Sequence, residues 1–185
     1  MTVNPPSNFE KVVYEGNFRV LLSEEIIQNR IRELGRQITK DYRGKIPILV
    51  GVLNGCFIFF ADLVRHIEID LEIDFLKISS YGDEKISSGR IQVLKEINAD
   101  LKGRHVLVVE DIVDSGLSIR FLEKKVSEQQ PASLKFISLL IKRDNAKVDF
   151  KIDYIGFEIP NDFVVGYGLD HKQILRNLPA VYVMD

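Results

Sequence analysis

Three stretches of this chain are apolar over nearly the whole length of a β-strand: IPILVGVL at residues 46–53, VLVV at 106–109 and LKFISLLI at 134–141. A strand with one face in water alternates apolar and polar residues, so a run with little alternation is expected to be covered on both faces, as inside a parallel sheet. Between these runs the pattern becomes helical. Ser23, a good N-cap, precedes Glu24 and Glu25, and then Ile26, Ile27, Ile31, Leu34 and Ile38 recur as an amphipathic stripe. Asn54-Gly55 breaks the first apolar run before a helical segment at 56–66, and a second helix at 117–129 is stopped by Pro131. Further strands are expected at 71–79, 91–97, 154–159 and 163–167. Strands alternating with helices imply βαβ units. The expected fold class is α/β, a mainly parallel, doubly wound sheet with helices on both faces.

At 185 residues with 45% apolar residues the chain is expected to form one domain with a sizeable core. Its 25 basic and 27 acidic residues give a net charge of -2, which excludes a general attraction to nucleic acid or an anionic membrane. Anion binding must therefore be local. The apolar runs are too short to span a bilayer and MTVNPPSNFEKVV lacks the pattern of a signal peptide, so a cytoplasmic location is expected. The single cysteine, Cys56, excludes an internal disulfide and reads as a small buried hydrophobe. Asn4-Pro5-Pro6-Ser7 reads as an extended arm, and the polar, glycine-punctuated SYGDEKISSGR at 80–90 as a long mobile loop of the kind that serves as a lid.

In doubly wound sheets ligands bind at the carboxyl ends of the strands, and here four such ends are polar: Asn54-Gly55, Ser80-Tyr81, Lys142-Arg143 and the start of EDIVDSGLSI at 110–119. The last is open to two readings. Asp111, Asp114 and Ser115 suit helix capping, with Gly116 easing the turn. The same residues also suit a ligand, because a helix N-terminus offers free N–H groups to a phosphate and Ser115 and Ser118 add hydroxyl donors. Carboxylates repel phosphate, so the acids would face sugar hydroxyls or a hard cation such as magnesium. A ligand with a phosphate, a diol and a metal-bound polyanion satisfies every group. Spacing alone does not choose between the readings.

VLVVEDIVDSGLSI resembles the phosphoribosyl pyrophosphate signature of the type I phosphoribosyltransferases, and VGVLNGCFIFFADLVR, SSYGDEKISSGR, LLIKRD and GFEIPNDFVVGYGLD resemble the hypoxanthine (guanine) members of that family. The resemblance runs from about Phe18 to the end. It implies one phosphoribosyltransferase domain over 1–185, with the core mostly at 18–158 and a small hood from 1–17 and 159–185. It also implies a homodimer or homotetramer using magnesium, phosphoribosyl pyrophosphate and a 6-oxopurine, and no nucleic-acid or membrane partner. On this resemblance Glu110 and Asp111 hold the ribose hydroxyls and influence the metal, Asp114, Ser115, Gly116, Leu117 and Ser118 wrap the 5-phosphate, and Asp114 is the general base. The turn Leu53, Asn54, Gly55 binds pyrophosphate with Ser80, Tyr81 and Arg176. Lys142 donates to the purine 6-oxo group, Phe163 stacks on the ring, Val164 reads its edge, and Asp170 holds a magnesium carrying pyrophosphate. The family has a non-proline cis peptide between the first two residues of that turn and commonly a lysine where this chain has Asn54. Two other classes compete. A non-catalytic regulator on the same fold that binds nucleic acid requires a basic face or an added module, and a signalling receiver domain has no place for the phosphate loop or GFEIPNDFVVGYGLD.

Overall fold

The computed structural model of the protein describes residues 18–81, 90–145, 149 and 151–184, and of 80, 81 and 90 the backbone only. Loop residues 82–89 and the arm at 1–17 lie outside the described residues. In chain order the elements are β1 (Phe18–Leu22), α1 (Glu24–Asp41), β2 (Ile48–Leu53), α2 (Phe57–Val64), β3 (Glu72–Tyr81), β4 (Arg90–Lys95), β5 (His105–Val113), α3 (Leu117–Ser127), β6 (Ser133–Ile141), β7 (Tyr154–Glu158), β8 (Val164–Val165) and β9 (Val181–Met184).

Six strands form the larger sheet in the order β4-β3-β2-β5-β6-β7. The five from β3 to β7 are parallel, and β4 returns antiparallel to β3 at the edge. The unalternating runs are its centre. Leu49, Leu107, Val109, Ile137 and Leu139 pack against α1 and α2 through Ile27, Ile31, Leu34, Phe59 and Leu63. One residue along each strand, Ile48, Val50, Val106, Val108 and Phe136 pack against Ile119, Leu122 and Val126 of α3. Each central strand thus supplies two cores, and every fully buried aliphatic side chain contributes about 1.5–3 kcal/mol.

Ser23 caps α1 as expected, its Oγ accepting from the Ile26 N–H at 3.3 Å. Ile26 itself does not join the stripe and is 49% exposed. The buried set is Ile27, Ile31, Leu34 and Ile38, spaced four, three and four, and Ile26 lies about 100° round the helix from Ile27. The expected helix at 56–66 shortens to Phe57–Val64, and that at 117–129 to Leu117–Ser127, where turn hydrogen bonds from Glu128, Gln129 and Gln130 close the end ahead of Pro131. The strand expected at 163–167 keeps only Val164–Val165, because Gly166 (φ 93°) and Tyr167 (φ 51°) turn the chain.

The smaller sheet has the order β1-β9-β8, all antiparallel. Strand β1, which falls in the span assigned to the core, pairs here through Phe18 with Met184. Val165, Leu178, Ala180 and Tyr182, with Phe18 and Val20 against them, form a separate apolar cluster under this sheet. Among the described residues no helix is long and apolar enough to cross a membrane.

Candidate active site

Because β2, β3, β5 and β6 are parallel, their carboxyl ends open on one side, and the segment after β8 lies across them. Strand β5 continues beyond its apolar run to Val113, so Glu110 and Asp111 are strand residues, and Glu110 pairs with Ser138 of β6. Glu110 is 5% exposed. Burial, and then the adjacent Asp111, push its carboxyl well above the usual range. Asp111 is raised to about 6, chiefly by burial; backbone N–H groups and the nearby Arg176 pull it down, and Asp170 pushes it up. Its carboxyl occupies the space that Gly55 leaves empty, since a Cβ there would stand 1.7 Å from Asp111 Oδ2. The Leu53-Asn54 peptide before it is cis. Cys56 is fully buried, and burial together with Asp111 and Glu110 raises its thiol pKa.

The turn from Asp114 into α3 is only weakly capped. The N-cap is Gly116, at φ 79° and without a side-chain cap, and Ser115 Oγ only grazes the Leu117 N–H at 3.5 Å. Neither aspartate caps the helix, so first-turn N–H groups remain for an anion. The hydroxyl of Ser118 belongs to that first turn.

Lys142 directly follows β6, its N–H donating to Val113 O at 2.9 Å, which ties the ends of β5 and β6 together. It is 7% exposed, and its Nζ lies 3.9 Å from Asp114 Oδ2, too far for a hydrogen bond. A buried ammonium so placed calls for an oxygen acceptor. Facing it, Phe163 is half exposed and meets the His171 ring edge-on, centroids 5.6 Å apart. Asp170 Oδ2 accepts from the Gln173 N–H at 2.7 Å while Oδ1 pairs with Arg176 Nη2 at 2.6 Å. Arg176 also donates to Gly168 O at 2.8 Å and to Gln173 Oε1 at 3.0 Å.

A cavity of about 270 Å³ brings together Asp111, Asp114 and Lys142 from the larger sheet with Phe163, Val164 and Asp170 from the smaller. Ile112 and Leu169 complete its lining, and neither carried a sequence signal beyond being apolar. Arg176, paired with Asp170, and the buried Glu110 are not part of this lining. Asn54 is exposed on the turn beside Asp111. The backbones of Ser80 and Tyr81 end β3, and their side chains lie outside the described residues. Among the described residues no three His, Cys, Asp or Glu side chains form a ready cluster for a metal ion.

Comparison with known proteins agrees with this geometry. A phosphoribosyl transferase domain model matches residues 21–172. The hypoxanthine-guanine phosphoribosyltransferase of Bacillus subtilis is 43% identical over 90% of this chain and 92% of its own, and that of Streptococcus pneumoniae is 47% identical over the same shares. The chain belongs to the hypoxanthine-guanine phosphoribosyltransferase family. Solved structures of the family superpose closely. A hypoxanthine phosphoribosyltransferase from Staphylococcus aureus gives a TM-score of 0.87 at 40% identity, covering 90% of this chain and 91% of that one. A hypoxanthine-guanine phosphoribosyltransferase from Bacillus anthracis gives 0.85 at 44% identity, covering 89% and 97%. The six-stranded, mostly parallel sheet flanked by helices is the type I phosphoribosyltransferase fold.

Proposed function

We propose that this enzyme of purine salvage transfers the 5-phosphoribosyl group of phosphoribosyl pyrophosphate to N9 of hypoxanthine, and of guanine, releasing pyrophosphate and the nucleoside monophosphate. The observation that carries the reading is the cavity in which Asp114, Phe163, Val164 and the buried Lys142 adjoin the weakly capped start of α3. A bond forms between N9 and the anomeric carbon as the bond to pyrophosphate breaks, and the proton on purine N7 passes to Asp114. The N–H groups and hydroxyls at 115–118 take the 5-phosphate, and Glu110 and Asp111 accept from the ribose hydroxyls. Lys142 has donors and no acceptor, so it favours a 6-oxo group and leaves the amino group of adenine without a partner. Ring stacking falls to Phe163 and edge recognition to the Val164 backbone. On the pyrophosphate side stand Leu53, Asn54, Gly55, Ser80, Tyr81 and Arg176.

The donor set fits magnesium. Glu110, Asp111 and Asp170 offer only hard carboxylate oxygens, and magnesium is commonly held by one or two carboxylates with substrate oxygens and water completing its shell. When bound it neutralises charge on the departing pyrophosphate. Names of the relatives favour an enzyme over a non-catalytic regulator. The same reading carries a homodimer or homotetramer and a cytoplasmic location. The test is release of pyrophosphate from phosphoribosyl pyrophosphate, magnesium and hypoxanthine; no turnover with any purine overturns the reading.

A further inference from the structure

Tyr167 lies between Val164 and Asp170 in the chain, yet it turns away from the cavity those residues line. It is 3% exposed. Its hydroxyl donates to Asp62 Oδ2 at 2.5 Å and accepts from Gln28 Nε2 at 3.2 Å, and Gln28 also donates to Asp62 Oδ2 at 2.6 Å. Three groups from α1, α2 and the segment after β8 thus close a triangle in which the tyrosine is satisfied both as donor and as acceptor. Asp62 keeps one further contact, to the exposed Arg65 at 3.7 Å.

The backbone around Tyr167 gives this triangle its meaning. Gly166, Tyr167 and Gly168 hold φ values of 93°, 51° and 99°, a run of positive dihedrals that a tyrosine adopts only where its surroundings enforce it. Gly168 is pressed against the pyrophosphate-side turn, because a Cβ on it would stand 2.1 Å from Gly55 O. Its carbonyl in turn receives Arg176, which holds Asp170. Helix α2, which carries Asp62, begins just after that same turn. One buried polar contact therefore sets the segment bearing Phe163 to Asp170 against the turn at 53–55.

We propose that Tyr167, anchored by Asp62 and Gln28, is a positioning residue for purine recognition. The inference rests on the reaction proposed above. Apolar packing alone does not account for the hydroxyl, since phenylalanine fills the same space; the carboxylate and amide partners fix the rotation of the segment about its positive-φ turn.

The test is steady-state kinetics of the full chain carrying Tyr167→Phe, with hypoxanthine and phosphoribosyl pyrophosphate varied separately. The KM for hypoxanthine is expected to rise about tenfold, the scale of one lost charge-assisted hydrogen bond, with kcat changed by less than about threefold. The KM for phosphoribosyl pyrophosphate should rise less than that for hypoxanthine, because the 5-phosphate and ribose sites belong to β5 and α3 and only the pyrophosphate side, through Gly55 and Arg176, touches the segment. Asp62→Asn, which keeps a carbonyl acceptor, should be milder than Asp62→Ala, and Tyr167→Phe added to Asp62→Ala should change KM little further. A purely structural role predicts instead a fall in active enzyme with both KM values unchanged, and that result overturns the inference while leaving the reaction standing. A wild-type chain that turns over no purine overturns the reaction and the inference together.

Discussion

Asp114 and Asp111 are three residues apart and sit in opposite environments. Asp114 is half exposed, with Lys142 beyond hydrogen-bond distance, and is free to meet a ligand. Asp114→Asn keeps shape but accepts no proton, so kcat should fall by about a hundredfold or more in steady-state assays while substrate binding, followed by calorimetry, changes little. Asp111 is held at about 6 by burial, above its unfolded value of 3.8. A carboxyl raised in this way binds its proton more tightly in the folded state. Its contribution to stability is fully present below pH 4 and is lost as pH rises through about 6. The size is about 3 kcal/mol at most, from two pKa units. Asp111→Asn should therefore raise the melting temperature at pH 8 and leave it unchanged near pH 3.5, while activity is lost; equal shifts at both pH values would contradict this origin.

At the scale of elements, the edge return from β3 to β4 is held by a carboxylate of the opposite kind. Asp74 accepts from the N–H groups of Asn98 at 2.6 Å, Ala99 at 2.8 Å and Phe75 at 2.6 Å, and from Lys95 Nζ at 3.2 Å. Burial works against its charge, but these donors hold its pKa below the usual value, so its stabilisation is present above pH 4 and is lost as pH falls through the folded value. Asp74→Ala should cost about 3 kcal/mol at pH 7, measured by urea unfolding, and less in acid. No sequence period announces this residue, because its partners are backbone groups brought in by the return of the chain. The layered sheet was legible because unalternating runs have one stable solution, burial on both faces. Ile26 was misplaced because adjacent isoleucines differ by a third of a turn, which hydrophobicity alone does not resolve. Lys142 stood out by position as a polar strand end, but its expected role, like those of Phe163 and Asp170, came only through resemblance, since a lysine after a strand and an aromatic beside a valine pair carry no specific chemistry by spacing.

For the whole molecule, the site spans two sheets that share one apolar core, in which Val164, Val181 and Val183 cluster with Leu107, Val109 and Ile137, and that meet again at the cavity, the Gly55–Gly168 contact and the Tyr167 triangle. A ligand touching both should stabilise the assembly more than any one contact. With magnesium and phosphoribosyl pyrophosphate at about a hundred times Kd, linkage gives about 3 kcal/mol, or a rise of about 5–10 °C in thermal melts of a chain this size. Pyrophosphate with magnesium should give a smaller shift, since it leaves the start of α3 empty.

The small sheet places β9 between β1 and β8. During synthesis, β5 and β6 can pair as soon as both are out, whereas β1 must wait for its strand partner until residues 181–184 arrive from the far end of the message. A chain cut before Val181 is therefore expected to leave both β1 and β8 without their ladder partner, and on the function proposed above the purine side of the site, which Val164 of β8 lines, is the last to be completed.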